Sequence, residues 1–302
     1  MQRKIIYLIN PISGTSGKTS LKATLSRETH AKGIDHEILH TRADGNYHFL
    51  SQKIREENIT DVVICGGDGS INAVASDLIG IKVNIGIIPM GSGNGLALTA
   101  LIPKNIRRAM EIVFSGTASF IDGFYVNNQF SCMLCGIGFD AKVAHDFAKQ
   151  KKRGLQAYIK TTAINFFSAK PYAFEIRSTG KTFTTEAFFI SIANSNQFGN
   201  NFTIAPKASL NDGLLDIVIV KKMNKLVLPF SIISQVTGIN AKQDVVDFPQ
   251  KKNIIYFQTP SLTIINKDDA PLHIDGDPKE TARKFEIKLL RNAVRLIQPG
   301  QV

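Results

Sequence analysis

The chain has 302 residues, 43% hydrophobic and 20% charged, which is ordinary for a globular protein and long enough for two domains with their own cores. No stretch approaches the roughly 18 apolar residues of a membrane-spanning helix, and three cysteines cannot form a disulfide framework. The net charge of +11 is uneven, because residues 1–123 carry 13 Lys+Arg against 11 Asp+Glu and residues 124–302 carry 23 against 14.

The N-terminus holds a short apolar run that stops at Asn10-Pro11, so it reads as a first strand rather than a signal peptide, and a cytoplasmic location is expected. Strands are predicted at Lys4–Ile9, Asp35–Leu39, Asp61–Cys65 and Asn84–Ile88. Helix-period segments at Lys18–Lys32, Tyr47–Glu57 and Ser70–Ile79 separate them. That alternation predicts an α/β domain over residues 1–122, built on a parallel sheet whose ligands sit at the C-terminal strand ends.

Three turns at those ends carry chemistry. Asn10-Pro11-Ile12-Ser13-Gly14 follows the first strand but lacks P-loop spacing, so by itself it is a flexible βα turn. Gly66-Gly67-Asp68-Gly69-Ser70 places one acid among glycines between a strand and a helix, where backbone N–H groups can hold phosphate oxygens. Gly91-Ser92-Gly93-Asn94 repeats that arrangement one strand later, with a simple helix cap as the alternative. Two such loops at successive strand ends should face one crevice.

Beyond residue 122 the pattern changes to short β-branched or aromatic runs: Tyr172–Ser178, Lys181–Ala193, Leu214–Val220, Asn253–Gln258, Ser261–Ile265 and Phe285–Leu290. These predict a mostly antiparallel β-sandwich over residues 123–302, with the last ten or so residues returning to the first domain. Helical interruptions are expected at Ala141–Phe167 and Asn224–Ile239. Cys132 and Cys135 have CxxC spacing inside an apolar strand, Phe130–Ile137, and read as core thiols rather than zinc ligands. The turn Ser209-Leu210-Asn211-Asp212-Gly213-Leu214 suits either a hydrated cation or a tight turn. The late segment Asp275-Gly276-Asp277 suits general-base or magnesium chemistry, against a plain Asp-Gly hairpin. Basic clusters at 149–153, 221–225 and 251–252 attract anionic surfaces, although a merely solvated face is the alternative. No helix-turn-helix, zinc-finger or RNA-recognition pattern favours nucleic acid.

Taken in order, Asn10-Pro11 with Ser13-Gly14, Gly66–Ser70, Gly91–Asn94, Asp212–Asp216 and Asp275–Asp277 resemble the diacylglycerol-kinase-like lipid kinases. That group includes bacterial diacylglycerol and phosphatidylglycerol kinases and the sphingosine and ceramide kinases. The GGDG loop alone is shared with NAD kinases and phosphofructokinases. The resemblance implies an ATP- and Mg²⁺-dependent transfer of phosphate to a lipid hydroxyl at an anionic membrane surface, through peripheral attachment. It implies nucleotide contacts from Asn10, Ser13, Gly66, Gly67, Gly69, Ser70, Gly91, Ser92 and Asn94, with Thr41 near the base. Asp68 would organise magnesium and phosphates, and Asp275 would act as the base, with Asp277 beside it. Asp122 would join the active-site network. Asp212, with carbonyls near Ser209 and Leu214, would hold a structural magnesium. The chain departs from the family's DGE with Asp277, and carries Gly95 where bacterial members often have Asp. An NAD-kinase-like soluble kinase and a catalytically weak lipid- or nucleotide-responsive regulator are the alternatives. A homodimer is left open.

Overall fold

The computed structural model describes residues 2–11, 18–150, 161–162, 164–166, 168–197, 204–224 and 253–300. Its chain divides into two compact units, one comprising Met1–Ile121 with Asn292–Val302 and the other Asp122–Arg291.

The first unit is α/β. Strands β1 (Lys4–Ile9), β2 (Asp35–His40), β3 (Asp61–Gly66) and β4 (Asn84–Pro89) lie in the order β2-β1-β3-β4 and are all parallel. The distal end of β15 (Lys284–Gln298) extends that sheet, pairing Arg295 with Asn84 and Leu296 with Ile85. Every residue of β3 is buried, as a central parallel strand covered on both faces requires. The covering helices are α1 (Lys18–Ala31), α2 (His48–Glu56), α3 (Asp68–Asp77), α4 (Gly95–Thr99) and α5 (Ile106–Ser115). Helix α3 begins two residues before the expected Ser70, because Gly67 stands extended as its N-cap and its carbonyl accepts the Ile71 amide at 3.1 Å. Beneath the sheet the Arg3 guanidinium donates to both oxygens of buried Asp61, at 2.8 and 3.2 Å, and also reaches the Val113 and Phe114 carbonyls.

The second unit is β-sandwich-like and antiparallel. The distal part of β5 (Thr117–Val126) leads to β6 (Gln129–Ser131), β7 (Leu134–Gly138) and α6 (Phe139–Ala148). Then come β8 (Tyr172–Ser178), β9 (Lys181–Ala193), β10 (Leu215–Lys221), β11 (Ile254–Thr259), β12 (Ser261–Asn266), β13 (Leu272–Ile274) and β14 (Asp277–Lys279). Strand β9 is the hinge of the sandwich. One of its edges pairs β8 as far as Ala187 and β7 from Phe189 onward, while β10 runs along the other. Its first half alternates between intermediate and exposed positions and its second half is wholly buried. The core interdigitates Phe124, Phe174, Ile190, Ile217, Phe257 and Phe285.

Several expectations need correction. The apolar run 130–137 is not one strand, because the chain breaks at Cys132-Met133 between β6 and β7. Strand β15 does not stop at Leu290. Asn292 adopts φ +53° within the strand without ending it. Within 141–167, α6 starts at Phe139 and ends at Ala148, and the described residues of 161–168 are helical again. The helix expected at Asn224–Ile239 lies outside the described residues apart from its first residue. No helix among the described residues is long and apolar enough to cross a membrane.

Candidate active site

In the first unit, parallel pairing of β3 with β4 sets Gly66 opposite Pro89, so the loops that follow leave the sheet side by side. The Met90 amide donates to the Gly66 carbonyl at 2.9 Å. Beyond it the two backbones touch. A Cβ on Gly91 would stand 2.5 Å from the Gly67 Cα, and one on Gly67 would stand 3.0 Å from the Gly91 Cα. Only glycine at both positions allows that approach. The sequence therefore uses glycine here for closeness between loops, because neither residue is among those with positive φ.

Asn94 fastens the second loop. It is buried at φ +56°, its Oδ1 accepts the Gly91 amide at 2.8 Å, and its Nδ2 donates to the Gly91 carbonyl at 2.7 Å. Its amide is thus committed to the loop's own backbone, and Asn94 shapes the cradle. Asn10 does a similar job between strands, donating from Nδ2 to Ser70 Oγ at 2.8 Å. Gly66 makes room for that pair, since a Cβ there would meet the Ser70 Cβ at 2.9 Å.

Asp68, in the first turn of α3, points at the start of α4, where its Oδ1 accepts from the Leu96 amide at 3.4 Å. Burial pushes its carboxyl above the ordinary carboxylate range, and the amides of Gly95, Leu96 and Asn94 work against that rise. A half-buried carboxylate answered by backbone amides is where a cation would relieve an electrostatic cost. The donor chemistry therefore fits magnesium at Asp68. The first-turn N–H groups of α3 have no carbonyl partner within the helix, and in that position they fit phosphate oxygens. Thr41 follows β2, its amide donating to the Ile9 carbonyl at 3.0 Å, beside the buried Tyr47 whose hydroxyl accepts the Arg42 amide at 2.9 Å. Ser92 lies in the second loop, and Ser13 falls outside the described residues.

In the second unit, Asp275 and Gly276 form the two-residue turn joining β13 to β14, with φ +51° and +83°. Two successive left-handed residues are the signature of the hairpin turn that Asp-Gly favours. The hairpin and the acid are therefore the same feature. Asp275 Oδ1 accepts from Ser131 Oγ at 2.7 Å and from the Leu134 amide at 3.0 Å, while the Asp275 amide donates to the Leu134 carbonyl at 2.9 Å. Asp277 stands exposed at the start of β14. Behind the turn lies a pair that sequence reasoning left unassigned. His273 is 3% exposed, its Nδ1 accepts the Gly276 amide at 3.2 Å, and its Nε2 lies 3.3 Å from Asp140 Oδ2. The buried Cys132 and Cys135 are free thiols, and burial, assisted by the Asp275 and Asp140 charges, pushes the Cys135 thiol well up, so it is inert.

The Asp212 turn is held internally. Asp212 Oδ1 accepts the Leu214 amide at 3.1 Å, its Oδ2 accepts from Gln258 at 3.3 Å, and Ser209 Oγ donates to Asn211 at 3.2 Å. Gly213, at φ +74°, donates its amide to buried Asp122 at 2.9 Å. Asp122 thus anchors this turn. No group of three or more His, Cys, Asp or Glu side chains suited to a metal occurs among the described residues.

A parallel α/β unit with two abutting glycine loops at its strand ends, joined in one chain to a β-sandwich-like unit carrying an acidic hairpin, defines a kinase-type architecture. Residues 4–126 match the diacylglycerol kinase catalytic domain, and residues 134–296 match the YegS C-terminal NAD kinase beta sandwich-like domain. Similar proteins include a probable lipid kinase YegS-like of Shewanella frigidimarina, 28% identical over 83% of this chain and 80% of its own length. Another is a probable lipid kinase YegS of Salmonella arizonae, 27% identical over 97% of this chain and 95% of its own. The fold is also that of a diacylglycerol kinase from Bacillus anthracis, with a TM-score of 0.71 at 20% identity, covering 98% of this chain and 97% of that one. The chain belongs to the diacylglycerol-kinase-like family and is a phosphotransferase with an alcohol group as acceptor.

Proposed function

We propose that this protein transfers the γ-phosphate of ATP to the hydroxyl of a membrane lipid of the diacylglycerol, phosphatidylglycerol or sphingoid type. The observation that carries the proposal is the backbone contact of Gly67 with Gly91, in a chain whose family phosphorylates alcohols. Backbone amides near Gly67–Ser70 and Gly91–Asn94 hold the phosphates, and Asn94 and Asn10 keep those loops in shape. Magnesium, held at Asp68, would supply charge neutralisation on the phosphates. Asp275 takes the proton of the lipid hydroxyl as that oxygen bonds to the γ-phosphorus, the bond to the β,γ-bridging oxygen breaks, and ADP leaves. Most of the rate in such transfers comes from positioning and charge neutralisation, and the loops and the hairpin are each held in shape within their own unit. A second cation belongs at Asp212 and the carbonyls near Ser209 and Leu214 only if that turn gives up the contacts it now makes.

The basic second half supports peripheral docking on anionic lipid. Lys149 and Lys222 are 77% and 58% exposed and pair at the surface with Asp146 and Glu186, and a lysine that exchanges such a pair for an anionic surface contributes at most about 1 kcal/mol. Incubating the protein with labelled ATP, Mg²⁺ and mixed micelles of each lipid class tests the reading. Label in lipid is expected. Label only in a soluble nucleotide would favour the NAD-kinase-like alternative, and binding of ATP without any transfer would favour a regulator.

A further inference from the structure

The carboxylate of Asp275 sits on a turn with two left-handed residues in a row, and contacts from outside that turn decide where the carboxylate points. The His273 ring lies on β13 directly across from Gly136 on β7. Gly136 is what admits it. A Cβ at that position would stand 1.9 Å from Asp140 Oδ2 and 2.4 Å from His273 Nε2. The glycine thus forms the floor on which an acid from α6 and an imidazole from β13 meet. Asp140 is fixed from its other side, its Oδ1 accepting the Ala141 amide at 2.8 Å in the first turn of α6. His145, one turn further along α6, reaches the Leu272 carbonyl from Nε2 at 2.9 Å and ties the helix to the same strand.

The chemistry of these contacts sets the ring's state. The Gly276 amide can only donate, so His273 Nδ1 accepts and the ring proton sits on Nε2, facing the Asp140 carboxylate. An acid that holds one ring nitrogen as N–H leaves the other as an oriented acceptor. We propose that Asp140 and His273 are positioning residues. Asp140 selects the Nε2–H tautomer, His273 captures the Gly276 amide, and the captured turn holds the Asp275 carboxylate against Ser131 and Leu134 in the attitude needed to accept a proton. The inference rests on the reading of Asp275 as the base, and adds residues that neither glycine loop nor acidic motif identifies.

The test uses the full chain, ¹⁵N-labelled at histidine, together with turnover of ATP and lipid micelles. The Nε2–H tautomer at His273 is expected in the parent protein, with a shift toward Nδ1–H in Asp140→Asn. A parent Nδ1–H tautomer overturns the proposal whatever the substrate. His273→Leu and Asp140→Asn should each lower kcat by roughly 10- to 100-fold, the scale of a small misplacement, while the KM for ATP stays within about twofold. His273→Asn, whose Oδ1 falls where Nδ1 was, should recover to within about fivefold of the parent. In an Asp275→Asn background, His273→Leu should change the residual rate by less than about twofold. Equal losses in His273→Asn and His273→Leu, or a loss that adds in full to that of Asp275→Asn, would mark a packing role and refute positioning. Full turnover in Asp275→Asn would refute the base assignment itself. A normal loss there with an unchanged rate in His273→Leu would refute only the positioning pair.

Discussion

Gly91→Ala probes the cradle at its tightest point. The added methyl would lie 2.5 Å from the Gly67 Cα and 3.0 Å from Asn94 Oδ1. Carbon atoms in contact rest at about 3.5–4.0 Å, so the two loops must part by roughly 1 Å. The first obstacle is backbone, which cannot rotate away as a side chain would. Overpacking of this kind costs about 1–3 kcal/mol, and a loop-to-loop gap of that size also spreads the amides that hold phosphate. At about 1.4 kcal/mol per decade, ATP affinity should fall by roughly 5- to 150-fold. Gly67→Ala, whose methyl would meet the Gly91 Cα at 3.0 Å, should lose about threefold to tenfold. Isothermal titration of Mg²⁺–ATP into each variant measures the loss, with a thermal melt to confirm that both are folded. Parent-like affinity in Gly91→Ala, with the fold intact, would show that the loop contact does not shape the nucleotide site.

Asp275→Asn keeps the turn's shape but cannot take a proton, so kcat for lipid phosphorylation should fall about 10²- to 10⁴-fold with ATP affinity unchanged, as single-turnover and titration data would report. Asp68 gives a pH prediction. Its folded carboxyl is raised by burial, so its stabilising contribution is present at acid pH and is lost as pH rises through the folded value. Asp68→Asn should therefore flatten the stability-versus-pH profile above the ordinary carboxylate range while weakening Mg²⁺-dependent nucleotide binding; denaturant midpoints across pH, with and without Mg²⁺, check both. Arg3→Met takes the cation from the Asp61 carboxylate, which is 1% exposed, leaving it the Thr60 hydroxyl and the Asn84 amide, and should cost about 2 kcal/mol in urea unfolding. The Arg3→Met, Asp61→Leu double variant should recover most of that cost.

The parallel sheet was legible in sequence because buried parallel strands are continuous apolar runs, and 5–9, 61–65 and 84–88 are such runs separated by helix-length segments. The glycine loops were legible as well, since Gly66–Ser70 and Gly91–Asn94 each follow a strand. What could not be read was how each residue is used. Nothing in the sequence shows that Asn94 also shapes its own loop, both ends of its amide bonding the Gly91 backbone. Asp68 was legible as the acid at the tip of a glycine turn, but its contact with the Leu96 amide, at the start of α4, was not. The Asp140–His273 pair was invisible for a different reason. Its members are 133 residues apart and meet only because β13 lies on β7 over a glycine. A histidine between Leu272 and Ile274 in an apolar strand is the one local signal, and it resembles any core histidine.

The two acidic loops differ in what surrounds the charge, and that difference separates their roles. Asp68 is met by backbone amides alone, and burial leaves its carboxyl raised, so its ionised form gains most from an added cation. Asp275 is met by a hydroxyl and an amide on a single oxygen, with its own backbone N–H tied to the same residue, Leu134. Such a carboxylate is fixed in direction before any substrate arrives, which is what a proton acceptor needs. An acid that gains from a metal cannot also be the freest proton acceptor, because the cation that neutralises it lowers its basicity. The surroundings therefore argue for one assignment: Asp68 toward magnesium and phosphate, Asp275 toward the hydroxyl. Exchanging the acids for amides one at a time should separate loss of Mg²⁺ dependence at Asp68 from loss of kcat alone at Asp275.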